Sequence, residues 1–376
     1  MSTSWSLLAC ALAATAGACA EVSDDPRRAF VLDALTRDNQ RWLDREPDKV
    51  AIKYQRMATR TFDYFRGSAG IYWRDVTGAG RGAPPSAFAD DAGAWVWIVG
   101  DPHLENIGSF RRLDGTAYVD WNDYDAATLG PWWLDLRRLA GGLALAADDA
   151  ELPDLGGALV ALAAEAYAAE LLRLADGGGP TLETRGPVVE DLLADAAEAG
   201  LDGRRLAEYT VLAPDGARAM FYGDVEPPAA DGSPTDTMVP LGSQERLAIE
   251  QVVAAWRGSS LAPAGELLGV SRRLGAGLAS YPAPRYYALF AGPTAAPEDD
   301  LLVDFKESTP LAGLPPPPPA LELGLSEAAR TMQAERVLGA TPDGDPLAGH
   351  GDVGRRSFRS RSPASSPVRS ARSMPR

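Results

Sequence analysis

WVWIVGDPHLENIGSF, residues 95–110, runs directly into RRLDGTAYVDWNDYDAATLGPWWLDLRRLA, residues 111–140. The β-branched, apolar run over 95–99 reads as a buried strand. It stops at Gly100-Asp101-Pro102, and a polar loop with His103, Glu105 and Asn106 follows. A second short strand over 117–121 delivers Asp120, then Asn122, Asp123 and Asp125. Gly130-Pro131 breaks the chain, and a helix carrying Asp135 and Arg137-Arg138 begins after it. Two hairpin-like strands therefore offer Asp101, Asn106 and Asp120 from their loop ends.

Carboxylates with an amide oxygen, and almost no His or Cys nearby, form a hard-ligand set that suits Mg²⁺ rather than zinc. The Asp101-x-x-x-x-Asn106 spacing is that of a kinase catalytic loop, where the Asp takes the acceptor hydroxyl proton and the Asn holds a metal. Asp120 falls where a second metal-binding Asp is expected, with Asp123 and Asp125 as further metal candidates. The plain alternative is that Asp, Asn and Gly are simply turn residues at strand ends. Composition sharpens the first reading. Of 36 Lys and Arg residues only Lys49, Lys53 and Lys306 are Lys; Asn39, Asn106 and Asn122 are the only Asn, and His103 and His350 the only His. In a chain so biased toward Arg, one His and two Asn fall in this single stretch.

GDPHLENIG, VDWNDYD and GPWWLDLRRLA, with KYQRMA and FDYFRGSA upstream, resemble the bacterial family catalogued as domain of unknown function 2252. That family in turn resembles aminoglycoside phosphotransferases and protein kinases in this core. The resemblance is specific over about 53–146 and looser over about 268–339. It implies a chemistry class, phosphoryl transfer, without an acceptor. It also implies that Asp135 braces the catalytic loop through backbone N–H groups, where the residues alone leave a helix cap equally open. One departure is Val99, two residues before Asp101, where those families usually have His. His103 is placed with the catalytic residues, structuring the loop by hydrogen bonding.

At 376 residues and 45% hydrophobic, the chain can bury a large core and is expected to divide into two lobes. A formal charge of −16 argues against binding a nucleic-acid backbone. Cys10 and Cys19 are the only cysteines, so the body has no disulfide or Cys-based metal site. Residues 1–20 read as a secretory leader, with Ala18-Cys19-Ala20 as a small-residue cleavage site. Ala16-Gly17-Ala18-Cys19 also resembles a lipoprotein box, which would tether the protein to a membrane through a lipidated Cys19. The expected location is exported, periplasmic or lipoprotein-anchored, with a cytoplasmic chain and misassigned start as the alternative. No other stretch reads as a membrane span.

Residues 25–48 are expected to be helical. Lys53, Arg56 and Arg66 put cations upstream of the acidic stretch, either as phosphate contacts or as exposed charges. Residues 137–175 read as Ala/Leu-rich core helix, with further helices over 187–199, 243–257 and 321–338. Strands over 267–273 and 285–290 flank a Gly turn at Gly275-Ala276-Gly277, and a third over 301–305 leads to Lys306. This resembles a kinase small lobe, in which glycines cover the phosphates and a third-strand Lys pairs with them; an ordinary hairpin is the alternative. Glu335 is a candidate partner for Lys306. These motifs follow the catalytic loop instead of preceding it, so the lobes read as circularly permuted. From Gly351 the chain becomes rich in Arg, Ser and Pro and reads as a disordered basic tail or an out-of-frame terminus.

The fold expected is α+β, a two-lobed kinase-like architecture in permuted order: leader 1–20, helical lobe 21–260 with the catalytic loop, nucleotide-binding lobe 261–346, tail 347–376. The function expected is Mg²⁺-dependent transfer of the ATP γ-phosphate to a small-molecule or protein hydroxyl. Asp101 would be the base, Asn106 and Asp120 would hold Mg²⁺, and Gly275, Gly277 and Lys306 would hold the phosphates. A non-catalytic nucleotide-binding or scaffold protein stays open. A metal-dependent phosphoesterase using Asp101, His103, Asp120 and Asp123 is disfavoured by the scarcity of His.

Overall fold

The computed structural model describes residues 25–78, 86–87, 92–111, 116–179, 186, 189–191, 193–194, 203–225, 235–260, 265–275, 277–314, 316–339, 345 and 347–362. The leader with Cys19, most of the helix expected over 187–199, and 363–376 lie outside the described residues. The chain is mixed α+β and forms two compact units, one of residues up to Ala87 with Gly277–Pro282 and Leu311–Pro316, the other of the remainder.

The first unit is built on four helices: α1 (Pro26–Leu43), α2 (Pro47–Met57), α3 (Thr61–Gly67) and α4 (Ala69–Val76). The Asp25 carboxylate caps α1 by accepting from Arg27 N, and Pro26 occupies the first turn, where a missing N–H costs nothing. α2 buries Val50, Lys53 and Met57, which recur at helical spacing along one side. Two forked Arg–carboxylate pairs join the helices, Arg27 to Asp75 and Arg74 to Asp38.

The second unit carries an antiparallel sheet of β7 (Gly223–Asp224), β8 (Thr237–Val239), β9 (Leu267–Leu274), β10 (Arg285–Phe290), β11 (Leu301–Ser308), β12 (Gly349–Val353) and β13 (Arg356–Arg361), in the order β12-β13-β11-β10-β9-β8-β7. Alternation along the strands gives it two different faces. On one, Tyr286, Ala288, Phe290, Val303, Phe305 and Phe358 pack against Ile249, Val252, Val253 and Trp256 of helix α8 (Ser243–Trp256; α5–α7 are located below). On the other, Tyr287, Leu289 and Leu302 pack with Leu206 and Tyr209 of α7 (Gly203–Tyr209). That second face also carries Arg285, Lys306 and Arg359, side by side in register on β10, β11 and β13.

Four expectations need correction. The stretch from Gly351 does not begin as a disordered tail: β12 and β13 are sheet strands, and β13 lies between β11 and β12. Arg359, expected in a disordered basic tail, is buried, with a carboxylate of another element beside it. The division expected at 260/261 is not the one found, because β9–β11 and the Asp101 stretch share a unit. The two strands expected over 95–99 and 117–121 do not pair with each other. β1 (Trp95–Ile98) pairs with β4 (Thr128–Pro131), and β2 (Ile107–Arg111) pairs with β3 (Ala117–Trp121). Gly130-Pro131, read as a breaker, ends a two-stranded ribbon; a Cβ at Gly130 would stand 2.5 Å from Ile98 Cδ1, so the glycine lets the strands meet.

The fourth concerns 137–175, expected as core helix. It is two helices, α5 (Trp133–Asp149) and α6 (Pro153–Ala175), joined by a turn in which Glu151 takes φ 62°. In α6 only Gly156 is buried, and Leu162 and Leu172 are 62% and 68% exposed. Apolar residues all round a helix do not show which side is covered. α6 is long and apolar enough to cross a membrane by length and composition, contrary to the reading of no second candidate.

Candidate functional site

The Asp101 turn is held from below by α5. Gly100 adopts φ +82°, and a Cβ there would fall 2.2 Å from Ala126 O, so the turn admits only glycine. Asp135, in the first turn of α5, accepts from Val99 N at 2.7 Å and from Gly100 N at 2.8 Å. This is the brace geometry, made by a carboxylate rather than by a His at position 99. Burial, reinforced by nearby Asp101 and opposed by the two N–H bonds, pushes the Asp135 carboxyl up to about 7. Arg138, three residues on and so on the same side of α5, donates from Nε to Asp101 Oδ1 at 2.7 Å. One helix face thus fixes both the backbone and the side chain of the turn. His103 is buried with Nε2 4.0 Å from Asp101 Oδ2, and its carbonyl accepts from Asn106 N at 2.8 Å. Asn106 closes the loop by donating from Nδ2 to Asp101 O at 3.0 Å.

β2 and β3 bring the remaining groups alongside. Asp120 lies opposite Gly108, and Asn122 N donates to Asn106 O at 2.8 Å, so Asn106, at the end of the single 3-10 turn leading into β2, lies beside the end of β3 that carries Asp120. Asp120 Oδ1 accepts from Trp121 N at 2.7 Å. The helix α9 (Glu327–Leu338) ends beside it: a Cβ at Gly339 would be 3.7 Å from Asp120 Oδ2. Glu335 of α9 is pushed up by burial, an effect that Arg361 and Arg359 oppose and that Asp345 and Asp120 reinforce.

After Asp120 the chain forms an acidic loop gripped by the sheet. Lys306 Nζ donates to Asp125 Oδ2, and Arg359 Nε donates to Asp125 Oδ1 at 2.6 Å. Against the upward push of burial, Arg359 and Lys306 hold the Asp125 carboxyl far below the usual carboxylate range. Arg359 also lies 3.9 Å from Asp123. Arg361 donates to Asn122 O at 2.7 Å, and Arg330 of α9 to Asp125 O at 3.0 Å and to Ala127 O. Glu335 was the expected partner of Lys306. The ion-pair partner of Lys306 is Asp125, because the loop presents that residue directly above β11 and β13.

The upstream cations have protein partners within their own unit. Lys53 is buried on the inner side of α2 and donates to Asn39 Oδ1 at 3.0 Å; burial lowers it to about 8, with Asp38 opposing. Arg66 stands 3.5 Å from Asp63, one turn away on α3. Arg56 donates to Gly277 O at 2.6 Å and lies over the Tyr281 ring. Gly275 and Gly277 both have positive φ, +88° and +83°. Gly275 belongs to the second unit and Gly277 to the first, so Lys53, Arg56, Arg66 and Gly277 are all grouped apart from Asp101, Asp120 and Lys306.

Among the described residues no three His, Cys, Asp or Glu groups converge as a metal cage. Asn106 Oδ1 and Asp120 still suit Mg²⁺, which keeps several waters and takes substrate phosphate oxygens with one or two protein ligands. Asp123 and Asp125 fit less well, since Arg359 and Lys306 already face them. Sequence reasoning missed Arg138, Arg330, Arg359 and Arg361. In a chain with so many arginines, none of them carried a distinguishing signal; only the i, i+3 spacing of Asp135 and Arg138 could have been used.

A family model described as an uncharacterised protein conserved in bacteria (DUF2252) matches residues 45–369. No curated protein and no solved structure matches the chain. The match begins just after α1 and runs past β13, so it takes in the Asp101 turn, the acidic loop and the sheet that grips it; the chain belongs to the DUF2252 family.

Proposed function

We propose that this protein is a kinase-like phosphotransferase that moves the ATP γ-phosphate to a hydroxyl of a small molecule or protein, with its two kinase-like parts in permuted order. The observation that carries the reading is the meeting of two groups far apart in sequence. Lys306, on the second strand after the Gly275 turn and the third of the β9–β11 unit, ion-pairs with the loop that follows Asp120. The same unit contains Asp101, whose turn Asp135 braces and whose carboxylate Arg138 holds. The order Gly turn, strand, Lys strand, then a helix with Glu335 parallels a kinase small lobe.

In this reading Asp101 Oδ1 is committed to Arg138, and Oδ2 accepts the hydroxyl proton as the acceptor oxygen bonds to phosphorus and the bond to the ADP oxygen breaks. Arg138 keeps the carboxylate in one rotamer, which is the positioning such a reaction depends on. Asn106 and Asp120 would hold Mg²⁺. When bound, the metal supplies neutralisation of the charge on the phosphates. Lys306 adds a point charge from the sheet side.

Magnesium-dependent ATP binding and turnover by the full chain test this reading. Asp101→Asn should keep nucleotide affinity and lower turnover by roughly a hundredfold or more. Lys306→Met should weaken nucleotide binding. A folded wild-type protein that binds no nucleotide with or without Mg²⁺ would sink it.

A further inference from the structure

The sheet face around Lys306 holds more positive charge than its own strands neutralise. Arg285, Lys306 and Arg359 stand opposite one another across three strands, with Arg361 opposite Asp304 one step along. Like charges directly across a sheet repel, so anions must intervene. Asp304, wholly buried, takes a forked bond from Arg285 and lies 3.8 Å from Arg361. Lys306 and Arg359 have Asp125, which enters from the loop rather than from the sheet. The Asp125 side chain is 27% exposed, against 8% for Lys306 and 3% for Arg359, so the carboxylate is the outermost member of the trio. The loop itself is fastened independently of that carboxylate, through the carbonyls of Asn122, Asp125 and Ala127. Rotation of the Asp125 side chain would therefore release Lys306 from this ion pair and leave Arg359 with Asp123 at 3.9 Å, without moving the backbone.

We propose that Lys306 and Arg359 form a two-cation seat for the terminal phosphates of a nucleoside triphosphate, and that Asp125 fills this seat until the nucleotide displaces it. The proposal rests on the phosphotransferase reading. It adds Arg359 as a phosphate ligand and makes Asp125 a placeholder instead of a metal ligand. A phosphate chain has several oxygens and more than one charge, so it can engage the Arg fork and the Lys ammonium together. A single carboxylate brings one charge.

Calorimetric titration of the full chain with inorganic tripolyphosphate, and separately with ATP and Mg²⁺, tests this. Asp125→Asn should tighten tripolyphosphate binding about tenfold, since the competing charge is gone while a hydrogen-bond acceptor stays. Arg359→Gln should weaken it about tenfold or more, and Arg359→Lys should restore part of the loss. A folded Asp125→Asn protein that binds tripolyphosphate no better than wild type overturns the proposal, as does weaker ATP binding confined to the presence of Mg²⁺, the mark of a lost metal ligand. If Asp125→Asn does not fold, the Arg359 pair decides: equal binding by wild type and Arg359→Gln overturns the seat. Mg²⁺-dependent ATP binding with the same affinity in every variant removes the seat and leaves the phosphotransferase reading intact. Tripolyphosphate binding that follows these shifts, without any binding of ATP, leaves a polyphosphate site but overturns both its assignment to a nucleoside triphosphate and the phosphotransferase reading.

Discussion

Replacing Asp135 by Asn should separate stability from activity, and the structure gives the size of the effect. Both Asp135 oxygens accept backbone N–H groups, from Val99 and Gly100. An amide offers one oxygen, so one N–H loses its acceptor, at a cost of roughly 1–3 kcal/mol for a buried donor. An opposing term depends on pH. Burial pushes the folded carboxyl up to about 7, about three units above an ordinary Asp carboxyl. A raised carboxylate pKa means that the folded state holds a proton the unfolded chain has already released. Stability is then fully present below the unfolded pKa and is lost as pH rises through the folded one. Over that span of about three units the wild type should lose roughly 4 kcal/mol, at about 1.4 kcal/mol per unit. Asp135→Asn has no such slope. Urea unfolding of both proteins between pH 4 and 8.5 should show the variant gaining on the wild type by a few kcal/mol, with the change concentrated between pH 4 and 7. Turnover should nevertheless fall in the variant at every pH, because the turn carrying Asp101 loses half its brace. Parallel stability curves for the two proteins would refute the reasoning, since Asp135 would then titrate alike folded and unfolded.

Two further substitutions test the same turn. Gly100→Ala puts a Cβ 2.2 Å from Ala126 O at φ +82°; the expected loss is roughly 2–4 kcal/mol in urea melts, and a loss below about 0.5 kcal/mol would mean the turn is not held as described. Arg138→Leu removes the guanidinium from a buried pair with Asp101; it should cost roughly 3–5 kcal/mol, with Arg138→Lys recovering part, and equal stability of the three proteins would remove Arg138 as the anchor of Asp101.

The Asp101 turn and β3 were legible because their signals are local: an apolar run ended by Gly-Asp-Pro, and a strand ended by Asp-Trp-Asn-Asp. The antiparallel unit β9–β11 was legible for the same reason, with Gly275 marking the turn and Leu301, Val303 and Phe305 alternating with the polar side. Strand pairing was not legible. β1 reaches across to β4 because β2 and β3 form their own ribbon between them, and neither β2 nor β4 has enough length or alternation to announce itself. The exposure of α6 was illegible in principle, since a helix apolar on every side reads the same whether or not it is covered.

The basic end of the chain failed as a reading for a different reason. RSFRSR, residues 356–361, has one apolar residue, and local composition puts such a segment in water. In the sheet, Phe358 joins Trp256, Tyr286 and Phe305 in the core, while Arg359 and Arg361 point to the other face. That placement is tolerable only because the partners of these cations come from elsewhere. Asp304 is supplied by β11, and Asp125 and the Asn122 carbonyl by a loop more than two hundred residues earlier. A buried cation without such a partner would cost several kcal/mol. The strand and the acidic loop therefore stabilise each other, and neither has a reason to be ordered when read alone. Charge runs in an Arg-rich chain become evidence for structure only when matched to the carboxylates that can meet them. Here the acidic loop is identified from its spacing, while two of the cations that meet it, Arg359 and Arg361, read as part of a tail.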